Sequence, residues 1–417
     1  MEAIQTHWAE VDEIGRLILP AEFSQTFGLE PGVRLRLDKE NNTFRLHRPV
    51  THLAKIYIEP TTHCNLDCRT CIRNNWDEPL GNMSEATFEN LEKSIRNLST
   101  PPSIFFGGLG EPLSHPRIVD WVRRAKSLGS TVELITNGTL LSLKRSQALI
   151  EAGLDVLWVS IDGATPESYS DIRLGAELPR IIENLGHLRR IRPGGHHPRP
   201  IIGIAFVAMK NNIQDLPEVI ALGKRLGARR FMVSNLLPYT EEMQSQILYA
   251  KTLRNITYMP SPWLPVLKLP RMDIDETTRK AFISALNSGC NVELAGYNLG
   301  GANDVCSFIE SGSIAVGWNG DVSPCPPLLH NHISYLHGKE RRSRKHLVGN
   351  INQQELWEMW MDEEYVAYRE RVQSFAFAPC TPCGGCDLSE DNEEDCFGIT
   401  HPACGGCLWA QGVIQCP

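Results

Sequence analysis

The sequence has little that would tie it to a membrane, to nucleic acid or to the outside of the cell. Its longest nearly unbroken apolar run is IIGIAFVAM, Ile201 to Met209, about half of the roughly 20 residues that a membrane-spanning helix needs. Positive charge is in deficit: 41 Lys and Arg stand against 49 Asp and Glu, a net charge of −8, which disfavours nucleic acid as a general partner. The opening MEAIQTHWAEVDEIG has no basic start followed by an apolar stretch, so no cleaved secretion signal is expected and the expected location is cytoplasmic. Aromatic residues make up only 7%, yet 42% apolar and 22% charged residues in a chain of 417 exclude a disordered composition and a peptide-sized scaffold. About two to four compact units are expected at this length.

Cysteine is absent from the whole stretch between Cys71 and Cys290, although the chain has 13, and seven of them crowd between Cys380 and Cys416. A cytosolic chain of this size needs no disulfide framework, so thiols clustered in this way are read as metal ligands.

The rest of the chain divides into four stretches. Residues 1–50 alternate apolar and polar positions on either side of Gly-Leu-Glu-Pro-Gly, the pattern of a small β-rich unit. Residues 51–235 repeat strand then helix. AKIYIE, SIFFG, TVELIT, DVLWVSI, IIGIAFVA and RRFMVSN are near-continuous apolar strands, and the connections from Ser84 to Leu98, Pro116 to Leu128 and Leu216 to Leu226 are long enough for crossover helices. The predicted fold is therefore α/β, a partial (β/α)6 barrel that carries its chemistry at the strand C-terminal ends. Residues 236–289 read as a proline-rich traverse around Pro260 to Pro270 followed by a helix at Asp275 to Asn287. Residues 290–417 are short strands, turns and cysteines with one amphipathic helix at Gln354 to Arg371, and metals must supply much of their order. A basic stretch, His337 to His346, and an acidic one, Glu390 to Asp395, read as solvated loops.

The chemistry-bearing motifs fall on the predicted strand ends. PTTHCNLDCRTCIRNNW puts Cys64, Cys68 and Cys71 directly after the first strand. A structural zinc would want four closed ligands, whereas three thiolates on one tight loop hold three corners of a [4Fe–4S] cube and leave the fourth iron open. FFGGLGEPLSHP runs off the second strand and sets Gly107, Gly108 and Gly110 where backbone must come close to a ligand. TNG, with Thr136 and Asn137, ends the third strand, and SID, with Ser160 and Asp162, ends the fourth. Polar residues in such places bind ligands or cap turns. His63 and His115 lie near the predicted mouth, but lone histidines are commonly structural, and no general acid or base is assigned.

The C-x3-C-x2-C spacing after a first strand resembles the radical S-adenosylmethionine (SAM) superfamily. That resemblance implies that the glycine element, with Glu111 and Pro112, forms the edge that holds the amino group of SAM, and that Thr136, Asn137, Ser160 and Asp162 reach its ribose and carboxylate, with Met209 and Asn211 as weaker candidates after the fifth strand. It implies reductive cleavage of SAM to a 5′-deoxyadenosyl radical that takes a hydrogen atom from a substrate, with an electron donor such as ferredoxin or flavodoxin. One departure stands out: the residue before the third cysteine is usually aromatic and leans on adenine, and here it is Thr70, so adenine must be packed from elsewhere.

Two further resemblances flank the barrel. EIGRLILPAEFSQTFGLEPGVRLRLDKENNTFRLHRP resembles the AbrB/SpoVT-type swapped-hairpin family, which usually dimerises and often binds DNA. Residues 1–50 hold six Lys and Arg against eight Asp and Glu, which removes the electrostatic footing for DNA and leaves a homodimer or partner-docking module, or a cap on the barrel. CSFIESGSIAVGWNGDVSPC, from Cys306 to Cys325, resembles the opening of a SPASM domain, an auxiliary iron–sulfur domain. The resemblance implies one cluster on Cys290, Cys306, Cys325 and Cys407 and another on Cys380, Cys383, Cys404 and Cys416, three [4Fe–4S] clusters in all. Cys386 and Cys396 are surplus and leave the ligand sets open, and a zinc ribbon on Cys380, Cys383, Cys404 and Cys407 also satisfies spacing.

The AbrB-like head, the loop CNLDCRTCIRNNW and the tail CGGCLWAQGVIQCP together resemble the radical maturases associated with tungsten-cofactor oxidoreductases. This implies action on a tungsten-dependent oxidoreductase, on its cofactor or on a peptide segment. An enzyme modifying an unrelated ribosomal peptide or a sulfatase, or a redox-sensing AbrB-like regulator, are the alternatives.

Overall fold

A computed structural model describes the chain apart from residues 1–6, 41–42, 77, 171, 196–197, 251, 254–264, 274, 287, 289, 295–296, 300–303, 384–385 and 417. Part of the predicted traverse and the side chain of Cys383 also lie outside the described residues. The six predicted strands form as β1 (Lys55–Ile58), β2 (Ser103–Phe106), β3 (Val132–Thr136), β4 (Val156–Ser160), β5 (Ile201–Ala208) and β6 (Ala228–Asn235). All six run parallel in sequence order.

Because strand side chains alternate between faces, each strand divides its residues between two cores. Ile56, Ile104, Leu134, Leu157 and Ile202 join the large core beneath the helices. Tyr57, Phe105, Ile135 and Trp158 form a separate cluster on the inner face. Gly203 makes room there, since a Cβ on it would lie 2.4 Å from the Trp158 ring.

The outer core is closed by α1 (Glu85–Arg96), α2 (Ile118–Ser127), α3 (Leu143–Glu151), α4 (Leu178–Ile191) and α5 (Leu216–Arg225). Apolar residues recur on one helical face, as with Phe88, Leu91 and Ile95 on α1 and Ile118, Trp121, Val122 and Ala125 on α2, so each helix lays that stripe on the sheet. The hydroxyls of Ser84 and Ser142 start α1 and α3 by accepting the N–H of Thr87 and of Arg145. Among the described residues no helix is long and apolar enough to cross a membrane.

The sheet does not end at β1. The C-terminal region adds β7 (Ser313–Val316) parallel to β1, then β8 (Asp321–Ser323) and β9 (Gly349–Asn350) antiparallel, giving nine strands. The tail also returns to the barrel's far edge, where Asn235 Nδ2 donates to the Val413 carbonyl and the Gln415 N–H to Ser234 Oγ, both at 2.9 Å.

Several local expectations are corrected. The single helix expected from Gln354 to Arg371 is two, Leu356–Trp360 and Glu363–Ser374, because Asp362 leaves the helix to cap the second by accepting the Tyr365 N–H at 3.0 Å. The basic and acidic stretches are not separately solvated: Lys339 pairs with Glu390 and Arg344 with Glu393, each at 2.7 Å. The helix expected from Asp275 to Asn287 is shorter, Arg279–Leu286. Residues 1–50 form two small hairpins, Glu10–Val11 with Leu17–Ile18 and Leu37–Glu40 with Thr43–Leu46. A helix, Ala21–Phe27, stands between them and ends on Gly28, whose positive φ of 65° suits the left-handed turn. Trp8, Val11, Ile14, Leu37 and Phe44 of this unit are exposed.

Candidate functional site

The cysteine loop leaves β1 through Glu59 and Pro60 and is pinned on both sides. The Thr62 hydroxyl accepts the Gly81 N–H at 2.8 Å, and the Arg69 and Asp67 N–H groups donate to the carbonyls of Ile172 and Leu174 at 3.0 and 3.2 Å. Cys64, Cys68 and Cys71 form no disulfide and lie on the wall of one cavity of about 640 Å³. Burial pushes Cys68 up to about 11 against the pull of Arg173, and Cys71 and Cys64 add to the rise. Burial also raises Cys64. Arg73 Nε lies 3.4 Å from the Cys71 sulfur, a cation placed for a thiolate-rich loop.

Gly108, Gly110, Glu111 and Pro112 line the same cavity. The glycines are required by the protein itself: a Cβ on Gly110 would lie 2.2 Å from the Thr61 carbonyl oxygen, and one on Gly107 would lie 2.4 Å from the Phe105 ring. Gly107 is therefore behind the wall. The Glu111 N–H donates to the His63 carbonyl at 2.9 Å, which fastens the glycine edge to the cysteine loop. The Glu111 carboxylate accepts the Thr136 hydroxyl at 2.7 Å, the Asn137 N–H at 2.7 Å and the Leu113 N–H at 2.9 Å. Burial pushes this carboxyl up while those three donors hold it down. Glu111 and Thr136 thus shape the wall by bonding to each other.

Asn137 turns its amide toward Asn65 Oδ1 at 3.0 Å and the Cys64 sulfur at 3.8 Å. Ser160 lines the cavity, and Asp162 does not. The Asp162 carboxylate is spent on Arg173, at 2.7 Å, and on the Val207 N–H, at 2.8 Å. Arg173, with its side chain 13% exposed, lines the cavity as a second cation beside Arg73; burial lowers its pKa, but Asp162 more than restores it. Sequence reading missed this residue, for which a lone arginine in the segment DIRLG is no signal. Met209 and Asn211 border a neighbouring polar hollow of about 560 Å³ with Ile172 and Gln246, and Thr70 lies on both walls. His115 is held on the Met83 carbonyl at 3.1 Å and tilted against Trp121, 4.2 Å between ring centres, a structural place.

A second gathering of thiols lies in the C-terminal region. Cys306, Cys325, Cys404 and Cys407 line a cavity of about 880 Å³, together with Tyr368 and His332. Burial raises all four thiols, Cys306 to about 12, and the neighbouring thiols add to the rise in Cys306, Cys325 and Cys404. Cys290 and Cys416 are not on this wall; Cys416 accepts the Trp409 indole N–H at 3.3 Å. Cys380 is pushed up to about 11 by burial, Asp395, Cys396 and Cys386, so the two surplus cysteines, both exposed, lie within electrostatic reach of it, as Cys407 does of Cys416. Among the described residues no three His, Cys, Asp or Glu side chains close on a single ion. Four thiols gathered on the wall of one cavity suit a cube of iron and sulfide, whose irons each take one thiolate.

The chain matches the model of the Radical SAM superfamily over residues 58–222 and that of the SPASM iron–sulfur cluster-binding domain over residues 306–387. It is 30% identical over 366 residues to the tungsten-containing aldehyde ferredoxin oxidoreductase cofactor-modifying protein of Pyrococcus furiosus, covering 87% of this chain and 96% of that protein. It is 30% identical over 182 residues to the AdoMet-dependent heme synthase of Methanosarcina barkeri, covering 43% of this chain and 50% of that protein. In fold it is similar to native anSMEcpe with bound AdoMet, with a TM-score of 0.51 and 17% identity over 81% of this chain and 87% of the other.

Proposed function

The chain belongs to the radical SAM superfamily and joins its barrel to an iron–sulfur SPASM domain, and from that premise we propose that it matures a tungsten-dependent aldehyde oxidoreductase by modifying that enzyme's cofactor or a peptide segment of it. It is an enzyme of [4Fe–4S] clusters and SAM. The observation that carries the substrate reading is the match along 96% of the Pyrococcus furiosus cofactor-modifying protein, since likeness confined to the barrel would speak for cleavage chemistry alone.

When bound, a cluster and SAM supply reductive cleavage and a 5′-deoxyadenosyl radical. The chain's part is to hold, aim and exclude water. We assign Cys64, Cys68 and Cys71 as ligands of the cleavage cluster. The Gly108–Pro112 backbone takes the methionine amino group, Ser160 the ribose, and the Arg173 guanidinium the methionine carboxylate. Asp162, Glu111 and Thr136 act behind them as positioning residues. The hollow beside Thr70 and Met209 takes the adenine that an aromatic residue holds elsewhere.

For the auxiliary clusters the shared cavity supports Cys306, Cys325, Cys404 and Cys407 as one ligand set, with Cys380, Cys386, Cys396 and Cys383 as the other. In this reading Cys386 and Cys396 stand in place of Cys290 and Cys416 of the sets that the resemblance implied, and Cys404 moves to the first set. Residues 1–50 are assigned as an AbrB-like module that makes a homodimer through its exposed apolar side chains, and a ferredoxin or flavodoxin as the electron donor.

The test is recovery and turnover. Affinity purification of the chain should recover a tungsten oxidoreductase, and the reconstituted chain should form 5′-deoxyadenosine together with a mass change in that oxidoreductase or its cofactor. Turnover coupled instead to an unrelated peptide or a sulfatase would overturn the substrate assignment and leave the cleavage chemistry standing.

A further inference from the structure

A line of charged hydrogen bonds runs from the glycine edge into the C-terminal region through three side chains, Glu59, His330 and Glu78, that are absent from the SAM cavity wall. Glu59 stands just past β1 and is almost wholly buried. One of its oxygens accepts the Leu109 N–H at 2.9 Å, and the other lies 2.7 Å from His330 Nε2. Gly108 leans on the same side chain, with φ of 103° and no room for a Cβ, which would lie 2.5 Å from Glu59 Cγ.

His330 lies in the segment that follows Cys325 and is itself buried. Its Nδ1 is 2.8 Å from Glu78. Glu78 also accepts the Asn331 N–H at 2.9 Å and faces Lys345 at 3.5 Å. Trp76, from the arm of chain just beyond Cys71, closes edge-on over the imidazole, 4.8 Å between ring centres. An imidazole bonded to a carboxylate at each nitrogen carries both protons. Burial pulls the His330 pKa down, but the two carboxylates outweigh it and hold it at about 9. Taking this cation away would leave two carboxylates facing each other out of water, a costly arrangement.

We infer that His330 is a positioning residue for SAM binding: through Glu59 it fixes the Leu109 N–H and the Gly108 backbone, so that the polypeptide of the C-terminal region sets the affinity of the barrel for SAM. The inference rests on the assignment of the Gly108–Pro112 edge to SAM. It separates two contributions of the C-terminal region, its clusters and its chain. A cluster can be dispensable for cleavage while the segment that follows Cys325 is not dispensable for binding.

The experiment compares the anaerobically reconstituted full chain with its His330→Leu and Glu78→Gln variants, measuring SAM half-saturation of 5′-deoxyadenosine formation, SAM dissociation by equilibrium dialysis, iron content and melting. Loss of the charge-assisted bonds in His330→Leu should raise the half-saturation and the dissociation constant together by about tenfold or more, while the saturating rate and iron content hold. Glu78→Gln keeps an acceptor for Nδ1–H and drops the charge, so a smaller rise of about threefold is expected. A folded, iron-replete His330→Leu variant with the parent's half-saturation, or one that loses rate at unchanged half-saturation, would overturn the inference. If His330→Leu does not fold, Glu78→Gln decides, and an unchanged half-saturation in it overturns the clamp. Failure of the unsubstituted chain to bind SAM is a separate result that overturns the functional reading beneath it.

Discussion

The two cysteine regions of this molecule are built in opposite ways. The loop after β1 carries Cys64, Cys68 and Cys71 within a few residues, pinned by its own turns and by the segment at Ile172 and Leu174. The C-terminal cavity draws its thiols from Cys306, Cys325, Cys404 and Cys407, between which the chain runs through a sheet extension, two helices and a paired set of charged loops. A ligand set held by local chain can be read from spacing. One assembled over long loops cannot, because spacing does not say which segments the intervening chain brings together.

The largest expected effect breaks the local set. Replacing Cys64, Cys68 and Cys71 together by Ala should abolish 5′-deoxyadenosine formation and remove about four of about twelve irons, as iron analysis and chromatography of the products will show. Retained cleavage would place the active cluster elsewhere. The next effect sharpens the long-range set. Cys404→Ser should disturb one auxiliary cluster, seen as lost iron and altered spectra, while 5′-deoxyadenosine still forms uncoupled from product; Cys290→Ser should leave iron content unchanged. Iron lost in Cys290→Ser would restore the ligand sets that the resemblance implied, in which Cys404 is a ligand as well.

A third prediction concerns residues 1–50, where Trp8, Val11, Ile14, Leu37 and Phe44 face solvent. Their deletion should leave SAM cleavage intact and halve the mass in solution, measured by light scattering. The smallest effect is on pH. Burial, with His401 nearby, holds His346 down from 6.5 to about 4. Between those values the unfolded chain binds a proton that the folded chain refuses, so stability falls as pH drops from 6.5 toward 4. His330 acts in the opposite direction: held up at about 9, it contributes stability that is complete below pH 6.5 and is lost as pH rises through 9. Melting should therefore weaken on both sides, with His346→Gln flattening the acid limb and His330→Leu the alkaline one.

The barrel was legible because each of its strands declares itself alone. IIGIAFVA and DVLWVSI are apolar runs of strand length, and the sheet they form needs only neighbours in chain order. The glycine motif was legible as a close approach, although the neighbours that forbid a side chain proved to be Thr61, Phe105 and Glu59. Asp362 was misread as helix interior, since an aspartate amid helical residues reveals its capping role only through its partner, the Tyr365 N–H. The charged loops were misread as solvated because opposite charges far apart in sequence carry no mark of pairing.

By itself, then, the sequence determined the strand order of the barrel, the three-thiol loop and the place of the glycine edge, all of which rest on short local motifs and on strands that pair in chain order. Tertiary structure decided the rest: that Arg173 is a cation of the cavity wall, that Cys404 joins Cys306, Cys325 and Cys407, and that His330 bridges Glu59 and Glu78. In each case the residue type alone is common, and its chemistry comes from partners brought to it from distant segments, whose burial together makes a charge or a thiol matter.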